Sequence, residues 1–243
     1  MFHEHTDPVE NFSMLLPVLP LEFESVIIST MAFATILLVA SASLRNVTKG
    51  SYVLSTVHAI SMLIFTSYLI FVECSNPGYI HCEFDSTINS PLQNMMLQWS
   101  LGYFAIDSIV VLFLSPDWEA AFHHLTIVIG QISAIQTGRC GYALAWFLFL
   151  AELSAPFLNC FLSGFTIEGT SSDFIVRAIF AAIFIVSRLI ICPFMTYKFV
   201  FNCENAPLIP RIVCLCVMGI SIVWGKRVIG GVVAALRPSK QKL

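Results

Sequence analysis

The chain has 243 residues, of which 57% are hydrophobic and only 11% charged, and its mean hydropathy is +0.84. A soluble domain carries about 25% charged residues, so this composition excludes an ordinary soluble protein and points to a polytopic membrane protein. Twelve Lys and Arg, most of them flanking apolar runs, and a net charge of −3 exclude nucleic-acid binding.

The first residues, "MFHEHTDPVENFSMLLPVLP", lack a basic n-region and carry Glu4, Asp7 and Glu10. They do not read as a cleavable signal peptide, so the first apolar run is expected to stay as a span. Seven runs approach the roughly 20 residues that a span needs: Phe23–Leu44, Tyr52–Val72, Met95–Leu114, Ala120–Ile135, Tyr142–Phe165, Phe174–Phe201 and Ile209–Val233. The fourth is the shortest and most polar, which makes six spans the competing count. The connections carry turn signals: "SNPGYIHCEFDSTINSP", "LSPDW" and "TIEGTSSD". In "LSPDW", Ser115 is expected to cap and Pro116 to begin the next helix. No internal repeat or soluble domain is visible. The expected fold is an all-α bundle, because in lipid each helix satisfies its own backbone hydrogen bonds.

Orientation follows from the loop Lys and Arg. With the N-terminus outside, the inner loops hold Arg45, Lys49, Arg177, Lys226, Arg227, Arg237, Lys240 and Lys242, and the outer loops hold Arg139, Lys198 and Arg211. The expected organisation is a lumenal segment (1–21), a first span with a cytosolic loop (22–51), the main helical domain (52–233) and a basic cytosolic tail (234–243). Asn11-Phe12-Ser13 is a glycosylation acceptor pattern on the expected lumenal side. Cys74 and Cys82 share a loop on that side, where a disulfide can persist. The other six cysteines lack metal-ligand spacing and read as small apolar packing residues. Trp99, Trp118 and Tyr197, near span ends, read as interfacial anchors.

Ionisable side chains inside the expected spans carry the functional signal, because they are expensive in hydrocarbon and usually face a cavity. They are Asp107, the adjacent pair His123 and His124, Glu152 and Arg188. Asp107 lies eight residues before the turn at Ser115–Pro116 and the histidines about eight after it. At 1.5 Å per residue both lie roughly 12 Å from one membrane face, so an antiparallel hairpin sets them level. Glu152 and Arg188 fall near mid-depth, the first about 18–20 Å from the cytosolic face and the second about 21 Å along its span. A carboxylate can fix an imidazole's tautomer, and a histidine so held can act as general base or nucleophile in acyl transfer. Adjacent histidines diverge by about 100° on a helix, which argues against a shared metal ion. Glu119 lies one turn before His123 and shares its face. The competing reading is structural: Asp–His and Glu–Arg pairs tie helices together, at about 1 kcal/mol each.

In order along the chain, "GYFAIDSIVVL", "FHHLTIVIGQ", "RCGYALAWFLFLAELSAPFLN" and "VSRLIICPF" resemble the TLC domain, the membrane module of TRAM proteins, Lag-type ceramide synthases and CLN-type proteins. The resemblance covers about Tyr52 to Val233 and is greatest to the small proteins that consist of little else. It implies a lipid-facing cavity in an endomembrane, most readily the endoplasmic reticulum. By analogy with the ceramide synthases it implies acyl transfer from acyl-CoA, with His123, His124 and Asp107 catalytic. Glu152, Arg188 and Ser154 are then the polar support of the cavity, with no metal and no resident cofactor. The chain departs from the synthase pattern after Arg139-Cys140-Gly141, where "YALAWFLFLAELSAPF" contains no H-D-x-x-D. Asn159 is followed by Cys160 and Phe161, where many small relatives carry an Arg. The alternative function is a non-enzymatic lipid sensor, carrier or trafficking regulator with structural histidines. A proton-coupled transporter fits less well, because paired broken helices are missing. The expected partner in each lipid reading is a membrane lipid or acyl chain.

Overall fold

The computed structural model describes residues 23–75, 84 and 88–236. Asn11, Cys82 and the basic tail from Arg237 lie outside the described residues. Seven long helices make up the described chain: α1 Phe23–Leu44, α2 Val47–Phe71, α3 Pro91–Leu114, α4 Trp118–Thr137, α5 Gly141–Leu162, α6 Ser171–Asn202 and α7 Leu208–Leu236. No strand occurs among the described residues.

Local sequence sets the helix starts. Asn46 caps α2 by accepting from the Lys49 amide, and Ser90 and Gln93 form a reciprocal capping box on α3 with Pro91 in the first turn. At the next turn the cap is Asp117, whose carboxylate accepts from the Glu119 and Ala120 amides. The expected Ser115–Pro116 start is therefore moved by two residues: aspartate reaches two orphan amides here, while Ser115 ends α3. Gly138, in the left-handed region at φ 63°, ends α4.

Six of the seven helices are long and apolar enough to cross a membrane. The seventh, α4, has 20 residues, which at 1.5 Å each span about 30 Å, but Glu119, His123, His124, Gln131 and Gln136 dilute its apolar character.

The helices α2, α3, α4, α7, α6 and α5 contact one another in that order and close into a ring. Helix α1 stands outside it, in the groove between α2 and α3, and leaves Ile28, Met31 and Leu38 exposed, as a lipid-facing helix does. Gly102 permits that docking, since a Cβ there would sit 2.0 Å from Ser29 Oγ. One end of the ring is pinched shut. There Asn89 donates to the Ala134 carbonyl and accepts from the Gly141 amide, and a Cβ on Gly141 would collide with Gln93 and Asn89. Arg211 seals the same end by donating to the carbonyls of Val200, Cys203, Glu204 and Ala206, at and just beyond the end of α6. Trp99 is not an interfacial anchor: its indole donates to Ser61 and its ring packs on Phe33 between helices. Trp118 and Tyr197 are exposed.

Two prolines break the regular ladder where the ring is most polar. Pro156 cannot donate to the Glu152 carbonyl, and α5 divides into Gly141–Glu152 and Ala155–Leu162. Pro193 cannot donate to the Leu189 carbonyl, and the preceding residues, Ile185–Ile191, widen into a π-helix that carries Arg188. The Cys192 amide there reaches back to the Ser187 carbonyl.

Cys74 is disulfide-bonded, whereas Cys140, Cys160, Cys192, Cys203, Cys214 and Cys216 are in the thiol form. Alkylation of the denatured protein is expected to modify Cys74 only after reduction, as peptide mass shifts will report. Gly102→Ala is expected to destabilise the bundle by about 1–3 kcal/mol through overpacking at the α1–α3 contact, measurable as a lowered melting temperature in detergent.

Candidate functional site

Every helix of the ring contributes to a cavity of about 540 Å³ that opens at the end opposite the pinch. Its walls include Ser51 and Tyr52 of α2, Asp107 of α3, His123 and His124 of α4, Glu152 and Asn159 of α5, Arg188 of α6 and Trp224 of α7. A second, smaller space of about 80 Å³ runs deeper between α4, α5, α6 and α7, and its lining is almost wholly apolar. His123 and Arg188 belong to both walls, so they stand where the polar chamber meets the apolar slot.

Asp107 and His124 are level, as the hairpin arithmetic requires. His124 Nε2 lies 3.6 Å from Asp107 Oδ2. That is close electrostatic contact but too long for a hydrogen bond. The bond that Asp107 does accept comes from Tyr103, one turn earlier on α3, whose hydroxyl donates at 2.9 Å. Phe104 meets the His124 ring edge to face at 5.1 Å. His123 turns the other way, toward α7, with its ring 5.0 Å from that of Trp224. The Trp224 indole donates to Glu119, and Glu119 pairs with Arg227 at 2.6 Å. The two histidines therefore diverge as adjacent helical residues must, one toward a carboxylate and the other toward the slot. Each leaves a buried Nδ1 without a partner.

A second histidine–carboxylate pair faces the first. His58 of α2 places Nδ1 3.7 Å from Glu152 Oε1. Its Nε2 lies 3.1 Å from Ser100 Oγ, and Gln131 donates to the same hydroxyl at 2.8 Å. A hydroxyl has one proton to give. Ser100 Oγ either gives that proton to Nε2 or accepts a second bond from Nε2–H, so the His58 tautomer sets the direction of the contact. His58 also stacks on Tyr103, with centroids 3.9 Å apart and planes 13° from parallel. Tyr103 thus joins the two pairs, holding Asp107 by its hydroxyl and His58 by its face.

The sequence reading placed Asp107, His123, His124, Glu152 and Arg188 together, and all five line the large cavity. The Glu–Arg pair of the competing reading is not formed at ion-pair distance, and the placement of Ser154 is corrected. Arg188 makes no ion pair with Glu152 within 4 Å; its Nη2 donates instead to the Ala151 carbonyl at 2.7 Å, in the last turn before the break in α5. Ser154 is buried in that break and lines neither space. Sequence reasoning missed His58, Tyr103 and Trp224. The signal for His58 was a lone histidine in "STVHAISML", a span otherwise free of ionisable groups. Among the described residues, no three His, Cys, Asp or Glu side chains converge on a metal-sized site.

Fold and site together define a polytopic helical membrane protein whose six-helix ring encloses a cavity lined by histidines and carboxylates. The TLC domain model matches residues 50–229, nearly the whole ring, and the chain belongs to the TLC domain family. No curated protein and no solved structure matches it significantly.

His58→Ala is expected to cost about 2–4 kcal/mol, because it empties a fully enclosed site and strips Ser100 of a hydrogen-bond partner. In a double-mutant cycle on thermal stability, His58→Ala and Ser100→Ala should couple, since the two side chains touch.

Proposed function

We propose that the protein acts on membrane lipids by acyl transfer, with His124 as general base and Asp107 as the group that orients it. The observation that supports this reading best is the level placement of Asp107 and His124 in the wall of a cavity open at one end. A carboxylate beside an imidazole fixes the tautomer and raises basicity. His124 then takes the proton of an amine or hydroxyl nucleophile as it attacks the acyl carbonyl, and returns a proton to the leaving group. Tyr103 keeps Asp107 in place. His123, at the junction with the apolar slot, offers a second nitrogen to the acyl head. The acyl donor in this reading is acyl-CoA arriving at the cavity mouth. The mouth faces the cytosol of an endoplasmic-reticulum-type membrane, with the N-terminus lumenal and the C-terminus cytosolic.

The decisive experiment sets lipid profiles of cells lacking the protein beside those of cells carrying single variants, with reconstituted vesicles as the direct assay. His123→Ala and His124→Ala are expected to reduce product formation by about 10²–10⁴-fold at unchanged protein abundance. His124→Asn, which keeps a polar group but not the base, should stay inactive. Full activity in the asparagine variant would instead assign the histidines a structural role in a lipid sensor or carrier. Protease protection of terminal tags is expected to show the N-terminal tag protected and the C-terminal tag digested; like behaviour of both tags refutes the orientation.

A further inference from the structure

The two adjacent histidines are held by different means. His124 has Asp107 in close electrostatic contact. His123 is equally buried, but its Nδ1 has no hydrogen-bond partner. Packing sets the angle of its ring. The indole of Trp224 lies 5.0 Å away at 59°, and the His124 ring 5.8 Å away at 54°.

The indole is held in turn. Its Nε1 donates to Glu119 Oε2 at 3.1 Å, and Arg227 Nη2 donates to the other oxygen, Glu119 Oε1, at 2.6 Å. Glu119 and His123 stand one turn apart on α4, and Trp224 and Arg227 one turn apart on α7, so each pair shares a face. The four side chains close a loop between the two helices. Deeper in the bundle the same helices touch closely: a Cβ on Gly130 would sit 2.7 Å from Val213 Cγ1. His123 and Trp224 therefore occupy a stretch of interface that is fixed at both ends.

The two bonds to Glu119 differ in weight. The Arg227 and Glu119 side chains are 67% and 40% exposed, and an ion pair in water contributes little. The indole bond to the carboxylate is partly buried, charge-assisted and directional. It is the contact that keeps the Trp224 ring against His123.

We propose that Trp224 is a positioning residue: held by Glu119, it sets the angle at which His123 presents its ring where the polar chamber meets the apolar slot. The inference deepens the acyl-transfer reading and rests on it for the kinetic consequence, while the angle of the ring is measurable without turnover. A plain tie between α4 and α7 would change stability and leave His123 unaltered relative to His124.

The test uses the full chain in phosphatidylcholine nanodiscs and diethyl pyrocarbonate, which modifies imidazole nitrogens. Fragment mass spectra read His123 and His124 separately, so His124 is an internal control for access. Trp224→Phe keeps a ring but loses the donor, and Glu119→Leu loses the acceptor. Each is expected to raise the His123:His124 reactivity ratio by about tenfold, the population change that one hydrogen bond to a charged group controls. Glu119→Gln keeps an acceptor oxygen and Arg227→Gln keeps the indole bond, so both should stay within about twofold of the unmodified protein. In reconstituted vesicles Trp224→Phe should lower kcat by about tenfold or more, with KM nearly unchanged, as misorientation of a reacting group does.

An unchanged ratio in Trp224→Phe and Glu119→Leu, or an equal rise at both histidines, would overturn the proposal. So would Glu119→Gln or Arg227→Gln acting as strongly as Glu119→Leu, since the ion pair would then control the ring. A shifted ratio with unchanged kcat would overturn the role in transfer. If the unmodified protein forms no product, the acyl-transfer reading fails, and the reactivity ratio still decides whether Trp224 positions His123. Where Trp224→Phe does not fold, the Glu119 variants, at a half-exposed side chain, decide the outcome.

Discussion

A carboxyl group in the middle of a membrane bundle must be surrounded by partners, because the hydrocarbon offers none. The ring is arranged around that requirement at two points, Asp107 and Glu152. Asp107 is met by Tyr103 from its own helix and by His124 from α4. Glu152 is met by His58 from α2. The tyrosine ring lies flat on the His58 ring, and Ser100 and Gln131 complete the far side. Four helices are thus joined by one continuous polar ladder. Buried hydrogen bonds between membrane helices are individually modest, but a ladder with shared members fixes rotation and depth together. A helix that slid by one residue would leave several groups without partners at once.

The second half of α5 and the whole of α6 are held by a different device. Each contains a proline, and each proline removes a backbone bond. Left alone, such a break exposes polar backbone in a place that does not tolerate it. Here the break in α5 and the widened turn in α6 lie side by side, and Arg188, carried on the widened turn, donates to a carbonyl next to the break. One irregularity supplies the donor that the other needs. Cation–π packing of Arg177 on Phe161 fastens the same two helices nearer the mouth.

Much of this was legible in the residues. The helix boundaries follow from apolar run length and capping signals, and the level of Asp107 with the histidines follows from counting residues to a tight turn. What residue counting does not supply is rotation about the helix axis between elements without a short turn. That is why a Glu152–Arg188 pair stood as the structural alternative, when the π-helical turn before Pro193 carries Arg188 to a backbone carbonyl. It is also why His58 went unnoticed. Its partners come from three other helices, and a sequence states depth along a helix more directly than which face meets which neighbour. The count of spans was open for a physical reason as well. The polar residues that make α4 useful inside the ring are the ones that lower its apparent affinity for lipid.

Helix α1 has a topological consequence. The ring has an even number of helices, so α2 begins and α7 ends at the same end of the bundle, beside the cavity mouth. The family domain taken alone would return both its ends to one side. The single helix added in front, joined to α2 through only Arg45 and Asn46, has its first turn at the pinched end, away from the mouth. The first turn of α1 is thereby separated from the cavity entrance by the full thickness of the bundle, while the last turn of α7 stands at its threshold.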